Sequence, residues 1–279
     1  MRRAFKQVDV FGAAPLRGNP LAVVLDGAGL SDEQMLRFTD WTNLSEATFL
    51  LPPTDPAADY RVRIFCPGRE LPFAGHPTLG TCHAWLEAGG APRGEHVVQE
   101  CGAGLVRVRR DGERLAFSAP PLRRSGPLPE EDVVRIARGL GLSREDVVDH
   151  AFCDNGPGWR AVMLRSAERV LAVRPDAAVL GALDVGVVGP WADDREGCAF
   201  EVRAFFPGSV GLAEDPVTGS LNAALAQWLV GAGRAPKRYV ASQGTALGRA
   251  GRVHVQADDD GTIWVGGPSV TCIEGHVEL

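Results

Sequence analysis

The sequence predicts an α+β chain of two similar domains, and three observations carry that reading. One motif-bearing stretch occurs twice, short strand patterns outnumber helical ones, and a Pro-rich segment divides the chain near its middle. Residues 63 to 81 read RIFCPGRELPFAGHPTLGT and residues 203 to 220 read RAFFPGSVGLAEDPVTGS. Pro67-Gly68 matches Pro207-Gly208 at a displacement of 140 residues, while His76-Pro77 matches Asp215-Pro216 and Gly80-Thr81 matches Gly219-Ser220 at 139. A repeat of about half the chain implies two units, each with a strand, a Pro-Gly turn, a loop and a helix beginning at His-Pro or Asp-Pro.

In the second copy, Asp215 reads as the N-cap, its side chain accepting an orphan N–H, with Pro216 at the first helical position. Thr218, Gly219 and Ser220 then fall in the first turn. Their backbone N–H groups, together with the macrodipole, favour an anion such as a carboxylate. Two such helix starts facing each other would close an anion site.

Composition excludes several classes. The 279 residues are 45% hydrophobic and 23% charged, with a net charge of −6, which fits two globular domains and argues against a nucleic-acid partner. The opening MRRAFKQVDVF carries no apolar run of signal-peptide length, and no segment reaches the length of a membrane span. The expectation is a cytoplasmic protein. Six cysteines, Cys66, Cys82, Cys101, Cys153, Cys198 and Cys272, are scattered without C-x-x-C pairs, so they read as reduced filler rather than a disulfide or zinc framework.

In chain order, Phe5 to Val10 alternates as a half-buried strand, Gly12 to Pro20 is a loop, and Leu21 to Leu25 is a second strand. Ser31 with Gln34 forms a capping box, and Met35, Leu36, Phe38 and Trp41 give helical spacing through about Asn43. Thr48 to Leu51 is a short buried strand, which places Glu46 at a helix-to-strand junction. Tyr60 to Phe65 alternates, and a helix runs from His76 through about Glu87 to Gly89-Gly90. Strands follow at Val97 to Cys101, Leu105 to Arg109 and Leu115 to Ser118, turning at Gly102-Ala103-Gly104 and Asp111-Gly112. Ala119 to Pro129 is the boundary between domains 1–120 and 121–269. Beyond it come helices near Glu130 to Leu140 and Asp176 to Leu183, with a strand at Trp159 to Leu164 between them. Strands Gly186 to Val188 and Glu201 to Phe206 lead to the Asp215 helix, which runs to about Val230. The last strands are Tyr239 to Ala241, Val253 to Gln256, Ile263 to Val265 and Val270 to Ile273. The second half offers no obvious equivalent of Glu46.

Glu46 has two readings. It is a solvated loop carboxylate, or one paired with Arg61 or Arg63; or it is a general acid/base whose pKa burial among Leu44, Ala47 and Phe49 raises towards neutrality. His76 likewise either hydrogen-bonds to a backbone carbonyl or acts in catalysis, and histidine is a poor N-cap. Ser220 is placed to donate a hydrogen bond.

VDVFGAAPLRGNPLAVVL, NLSEATF, RELPFAGHPTLG, EDPVTGS and SQGTALGRAGRVHV together resemble the PhzF family of phenazine-biosynthesis-like isomerases, in order along nearly the whole chain. The resemblance implies a diaminopimelate epimerase-like fold, with a curled, mostly antiparallel sheet around a central helix in each domain and the active site between them. It allows the strand 270–279 to cross back to the first domain. It implies Glu46 as the acid/base, with His76 and Asp215 assisting and positioning the substrate. Gly75, Thr218, Gly219, Ser220 and Asn19 are the implied substrate-binding residues, with neither cofactor nor metal. The implied reaction moves a proton between carbons of a small carboxylate, with 2,3-dihydro-3-hydroxyanthranilate as the type substrate, in a homodimer. Epimerases of this fold use two cysteines at the helix starts; GHP and EDP stand there here, which argues against two-thiol racemisation. Two alternatives remain: an amino-acid racemase or epimerase pairing Glu46 with His76 or Asp215, and a non-catalytic carboxylate-binding protein.

Overall fold

A computed structural model describes residues 1–208 and 211–279, with the side chains of 194 and 195 outside the described set. The chain divides into two compact units, Met1–Ser118 with Gly266–Leu279, and Ala119–Val265.

The first unit opens with β1 (Arg2–Val10), flanked by antiparallel β2 (Asn19–Val24) and by the antiparallel C-terminal strand Ser269–Glu278. Helix α1 (Asp32–Thr42) follows, and its predicted capping box is present: Gln34 N–H donates to Ser31 Oγ at 3.2 Å and Ser31 N–H to Gln34 Oε1 at 2.9 Å. Asn43 closes it in the left-handed conformation at φ 55°, a role asparagine fills more readily than most residues. Met35 and Phe38 bury the inner face, but Trp41 is 76% exposed and does not belong to the apolar stripe expected of it. Strand β3 (Ala47–Leu51) runs parallel to β2, and β4 (Tyr60–Cys66) antiparallel to β3. Phe38, Phe49 and Phe65 stack edge to face, with centroids 5.9 and 5.7 Å apart, and this contact anchors the start of β3.

The short strand β5 (Arg69–Leu71) turns back on β4 through Pro67-Gly68, with Gly68 at φ +82°. Helix α2 (Gly75–Glu87) comes next, then β6 (Val97–Cys101), parallel to β4, and the antiparallel run β7 (Gly104–Asp111) and β8 (Arg114–Ser118). Helix α2 is buried through most of its length and packs on β1, β2, β3, β6, β8 and the C-terminal strand. A helix apolar on all sides is stable only when enclosed.

The second unit begins with α3 (Glu130–Gly139), which has no counterpart in the first. Strand β9 (Val147–Cys153), absent from the sequence reading, pairs antiparallel with β10 (Trp159–Leu164). Two short helices, α4 (Ala167–Ala172) and α5 (Ala177–Leu180), precede β11 (Val185–Arg195), which is parallel to β10. Strands β12 (Cys198–Gly208) and β13 (Gly211–Asp215) form the next hairpin, followed by α6 (Gly219–Gly231), β14 (Arg238–Gln243), β15 (Gly251–Ala257) and β16 (Ile263–Gly267).

Pairing repeats element for element. β12 is antiparallel to β11 and β13 and parallel to β14, as β4 is to β3, β5 and β6. The second hairpin is longer, however: Pro207 and Gly208 pair with Leu212 and Gly211 inside the ladder. The Pro-Gly turn expected at Pro207-Gly208 is therefore not the turn, and positions 209 and 210 lie outside the described residues.

Candidate active site

Glu46 stands one residue before β3, where the chain leaves α1 and enters the sheet beside α2. His76 occupies the second position of α2, fixed by the helix start at Gly75. These two residues, 30 apart in sequence, meet: His76 Nε2 lies 3.4 Å from Glu46 Oε2, with side chains 3% and 16% exposed. The arginines that could have neutralised Glu46 are engaged elsewhere. Arg63 forms a fork with Glu70 at 2.8 and 2.6 Å and reaches Asp32 at 2.6 Å, and Arg61 lies 3.9 Å from Glu100.

Burial holds the His76 pKa down to about 3, so its imidazole is neutral near neutral pH. Its other nitrogen, Nδ1, lies 3.3 Å from Asn19 Nδ2. Asn19 is the first residue of β2, fully buried, and paired across the ladder with Val10. An amide N–H donates, so Nδ1 accepts and the imidazole proton sits on Nε2, facing the carboxylate. Of the two ring nitrogens, Nδ1 takes Asn19 rather than the backbone carbonyl considered for it, and Nε2 stands beside Glu46 outside hydrogen-bond geometry. The N-cap of α2 is Ala74, with no side-chain cap, and the N–H groups of Gly75 and His76 belong to the end of the helix that favours an anion.

Asp215 is not the N-cap of the second unit's central helix. It is the last residue of β13, its backbone held opposite Ala204, and α6 starts four residues later at Gly219 with Thr218 as N-cap. Strand pairing overrides the Asp-Pro cap preference. The Asp215 carboxylate instead accepts the Thr218 hydroxyl at 2.6 Å. The Thr218 N–H donates to Gln243 Oε1 at 3.0 Å, so that donor is committed within the protein. Gly219 and Ser220 form the opening positions of the helix.

The helix starts also re-register the repeat. Gly75 and His76 correspond to Gly219 and Ser220 at a displacement of 144, not His76 to Asp215. The shift brings out residues that the sequence reading missed. Gln99 and Gln243 share the 144 displacement; Gln99 Nε2 donates to Thr78 Oγ1 at 3.0 Å, and Gln243 Oε1 accepts from Asn222 Nδ2 at 2.8 Å. Gln243 Nε2 also reaches Thr218 Oγ1 at 2.8 Å and the Asp215 carbonyl at 3.2 Å, tying β14 to the Asp215–Thr218 segment. Ser220 Oγ accepts the Trp159 indole N–H at 3.1 Å, and its carbonyl accepts Asn155 Nδ2 at 2.8 Å. Alignment on the helix starts, rather than on His-Pro and Asp-Pro, was the signal that could have found Gln99 and Gln243. The residue before β11 is Asp184, so the second unit does carry a carboxylate at the chain position of Glu46, but Ser220 takes the place of the histidine.

The cysteines offer no activated thiol near either helix start. Cys82 and Cys153 are buried and pushed up to about 12 by desolvation, and burial also raises Cys66. Among the described residues, no three His, Cys, Asp or Glu side chains are grouped as a metal site would need. A polar depression at the other end of α2, lined by Lys6, Glu87, Thr271, Cys272 and Glu274, is an internally paired cluster, with Lys6 Nζ 2.8 Å and Thr271 Oγ1 2.6 Å from Glu87 Oε2.

Two α+β units of one topology, each with its sheet packed around a buried helix and one with a carboxylate–imidazole pair at that helix's start, define an isomerase of the epimerase-like fold. A family model described as phenazine biosynthesis-like protein (PhzC-PhzF) matches residues 8–275, and the chain belongs to this family. It is 33% identical to the trans-2,3-dihydro-3-hydroxyanthranilate isomerase of Pseudomonas aeruginosa, over 98% of each chain. It is 36% identical to antisense-enhancing sequence 1 of Schizosaccharomyces pombe, over 98% of this chain and 97% of that one. Among solved structures, a predicted epimerase of Pseudomonas aeruginosa superposes with a TM-score of 0.81 at 29% identity, covering 99% of both chains. No described helix is long and apolar enough to cross a membrane.

Proposed function

We propose that the protein shifts a proton between two carbons of a small carboxylated, dihydroaromatic metabolite, with Glu46 as the acid/base. The carboxylate takes a proton from one ring carbon as the electron pair enters the conjugated system, and the resulting carboxyl group returns that proton to another carbon. Protons and electrons balance without a further reactant. The observation that carries the reading is the Glu46–His76 pair, in which a neutral imidazole stands with Nε2 3.4 Å from a largely buried carboxylate. Such a group can both accept and return a proton.

His76 and Asp215 assist and position the substrate in this reading. The N–H groups of Gly75, Gly219 and Ser220 supply donors for its carboxylate and stabilise charge as it develops. The name of the Pseudomonas aeruginosa relative makes trans-2,3-dihydro-3-hydroxyanthranilate the substrate to try first. The test follows that compound by proton NMR in the presence of the protein: movement of the double bonds supports the proposal. Inversion at a single carbon with the double bonds unmoved would establish the epimerase alternative instead.

A further inference from the structure

We propose that Asn19 is a positioning residue that locks His76 in the tautomer with a bare Nδ1 and a protonated Nε2, so that His76 faces Glu46 as a donor throughout the reaction cycle. The inference rests on the proposed role of Glu46, and its geometry rests on the first unit alone.

The polarity of the Asn19 contact has an internal control in the repeat. In the first unit, Asn19, the first residue of β2, places Nδ2 3.3 Å from the second side chain of α2, His76. In the second unit, Trp159, the first residue of β10, donates Nε1–H at 3.1 Å to the second side chain of α6, Ser220. The ladder positions agree: Asn19 pairs with Val10, the last residue of β1, and Trp159 with Cys153, the last residue of β9. An indole nitrogen can only donate. The same device therefore occurs twice: a buried N–H at the strand start supplies the helix side chain with a donor, which obliges that side chain to send its own proton elsewhere. For Ser220 the proton is the hydroxyl hydrogen; for His76 it is the hydrogen on Nε2, a nitrogen 3.4 Å from Glu46 Oε2.

The lock matters most after Glu46 has taken the substrate proton. A histidine free to choose its tautomer could present a bare Nε2 and accept the new carboxyl proton in a hydrogen bond, turning that proton away from the substrate. With Nδ1 occupied by the Asn19 N–H, Nε2 keeps its proton towards Oε2, and the transferred proton stays on the carboxyl oxygen that returns it to carbon. His76 thus acts through Glu46 without changing its own protonation.

The test reads the tautomer directly, without substrate. Nitrogen-15 NMR of histidine-labelled protein at neutral pH is expected to show His76, assigned by its loss in His76→Gln, with a non-protonated Nδ1 and a protonated Nε2. In Asn19→Asp, a carboxylate of nearly the same shape accepts instead of donating, and Nδ1 is expected to become protonated. A wild-type His76 with a proton on Nδ1, or an Asn19→Asp protein whose His76 nitrogens match wild type, overturns the proposal whatever the enzyme acts on. Asn19→Leu adds a kinetic readout on an isomerised substrate deuterated at the donor carbon: the fraction of label returned to the product should fall, with kcat down roughly tenfold, as for loss of one buried polar contact, and KM little changed. Unchanged label return in a folded Asn19→Leu protein also overturns it, whereas an inactive wild type with the expected tautomer would count against the proposed substrate and leave the lock standing.

Discussion

Replacing Gln243 with leucine should destabilise the second unit by about 3 kcal/mol, a figure that follows from what its amide holds. Gln243 is fully buried and makes four contacts: Oε1 accepts from Thr218 N–H and Asn222 Nδ2, while Nε2 donates to Thr218 Oγ1 and the Asp215 carbonyl. Leucine fills similar volume and removes all four. Asn222 keeps the Thr218 carbonyl at 2.9 Å and the Thr218 hydroxyl keeps Asp215, so these groups lose only part of their bonding. The Thr218 amide loses its acceptor inside the protein. One orphaned buried amide costs about 1–3 kcal/mol and each shared contact about 0.5–1.5, offset by roughly 1–2 from the added apolar surface. Urea titration, together with amide hydrogen exchange at Thr218 and Asn222, measures the effect. Stability within about 0.5 kcal/mol of wild type, with Thr218 exchange unchanged, would refute the assignment of Gln243 as the clamp on the Asp215–Thr218 segment.

Other outcomes follow from the same structure. The His76 pKa falls on folding from 6.5 to about 3, so the unfolded chain binds the extra proton between those values and stability is complete above about pH 6.5. It is lost as pH falls, and at pH 5 the His76 contribution should be lower by about 2 kcal/mol; a His76→Gln protein compared by denaturant titration at pH 7 and 5 should lack that share. Cys82 and Cys153, with thiols pushed up to about 12, should resist a thiol reagent in the native protein and react on unfolding, which mass spectrometry of labelled peptides can follow. Ser31→Ala removes one arm of the α1 capping box and should lower stability by about 1 kcal/mol in thermal or urea denaturation, without altering the Glu46–His76 pair.

The two-unit pattern was legible because each central helix carries its signal locally: GHPTLG opens α2, and an Ala-rich run fills α6. The exact helix start was not legible in the second unit. Asp-Pro is a strong cap signal, yet Asp215 is held in a ladder with Ala204, a partner that local sequence does not reveal. The helix starts are thus related by 144 residues, five more than the 139 that links His-Pro to Asp-Pro, and that difference hid Gln243. Strand β9 went unread because VVDHAFC mixes charge into its alternation, with Val148 exposed and His150 half-buried. Helix α4 spans six residues, too few to show a 3.6-residue period. Trp41 fits the apolar spacing of α1 but faces solvent because Met35 and Phe38 already cover the sheet. For the candidate site, NLSEATF and GHP marked Glu46 and His76 separately; that the two side chains meet depends on β3 lying beside β2 and α2, a tertiary arrangement.

The most direct test of Glu46 as the proton carrier is deuterium incorporation during turnover in D2O. Wild type and Glu46→Gln are each incubated with trans-2,3-dihydro-3-hydroxyanthranilate, and double-bond position and label at each carbon are read by NMR. Isomerisation by wild type with little solvent deuterium at the accepting carbon, because the carboxyl group returns the proton it took, and loss of isomerisation in a folded Glu46→Gln protein, is the result expected. Isomerisation at the wild-type rate by Glu46→Gln would contradict it.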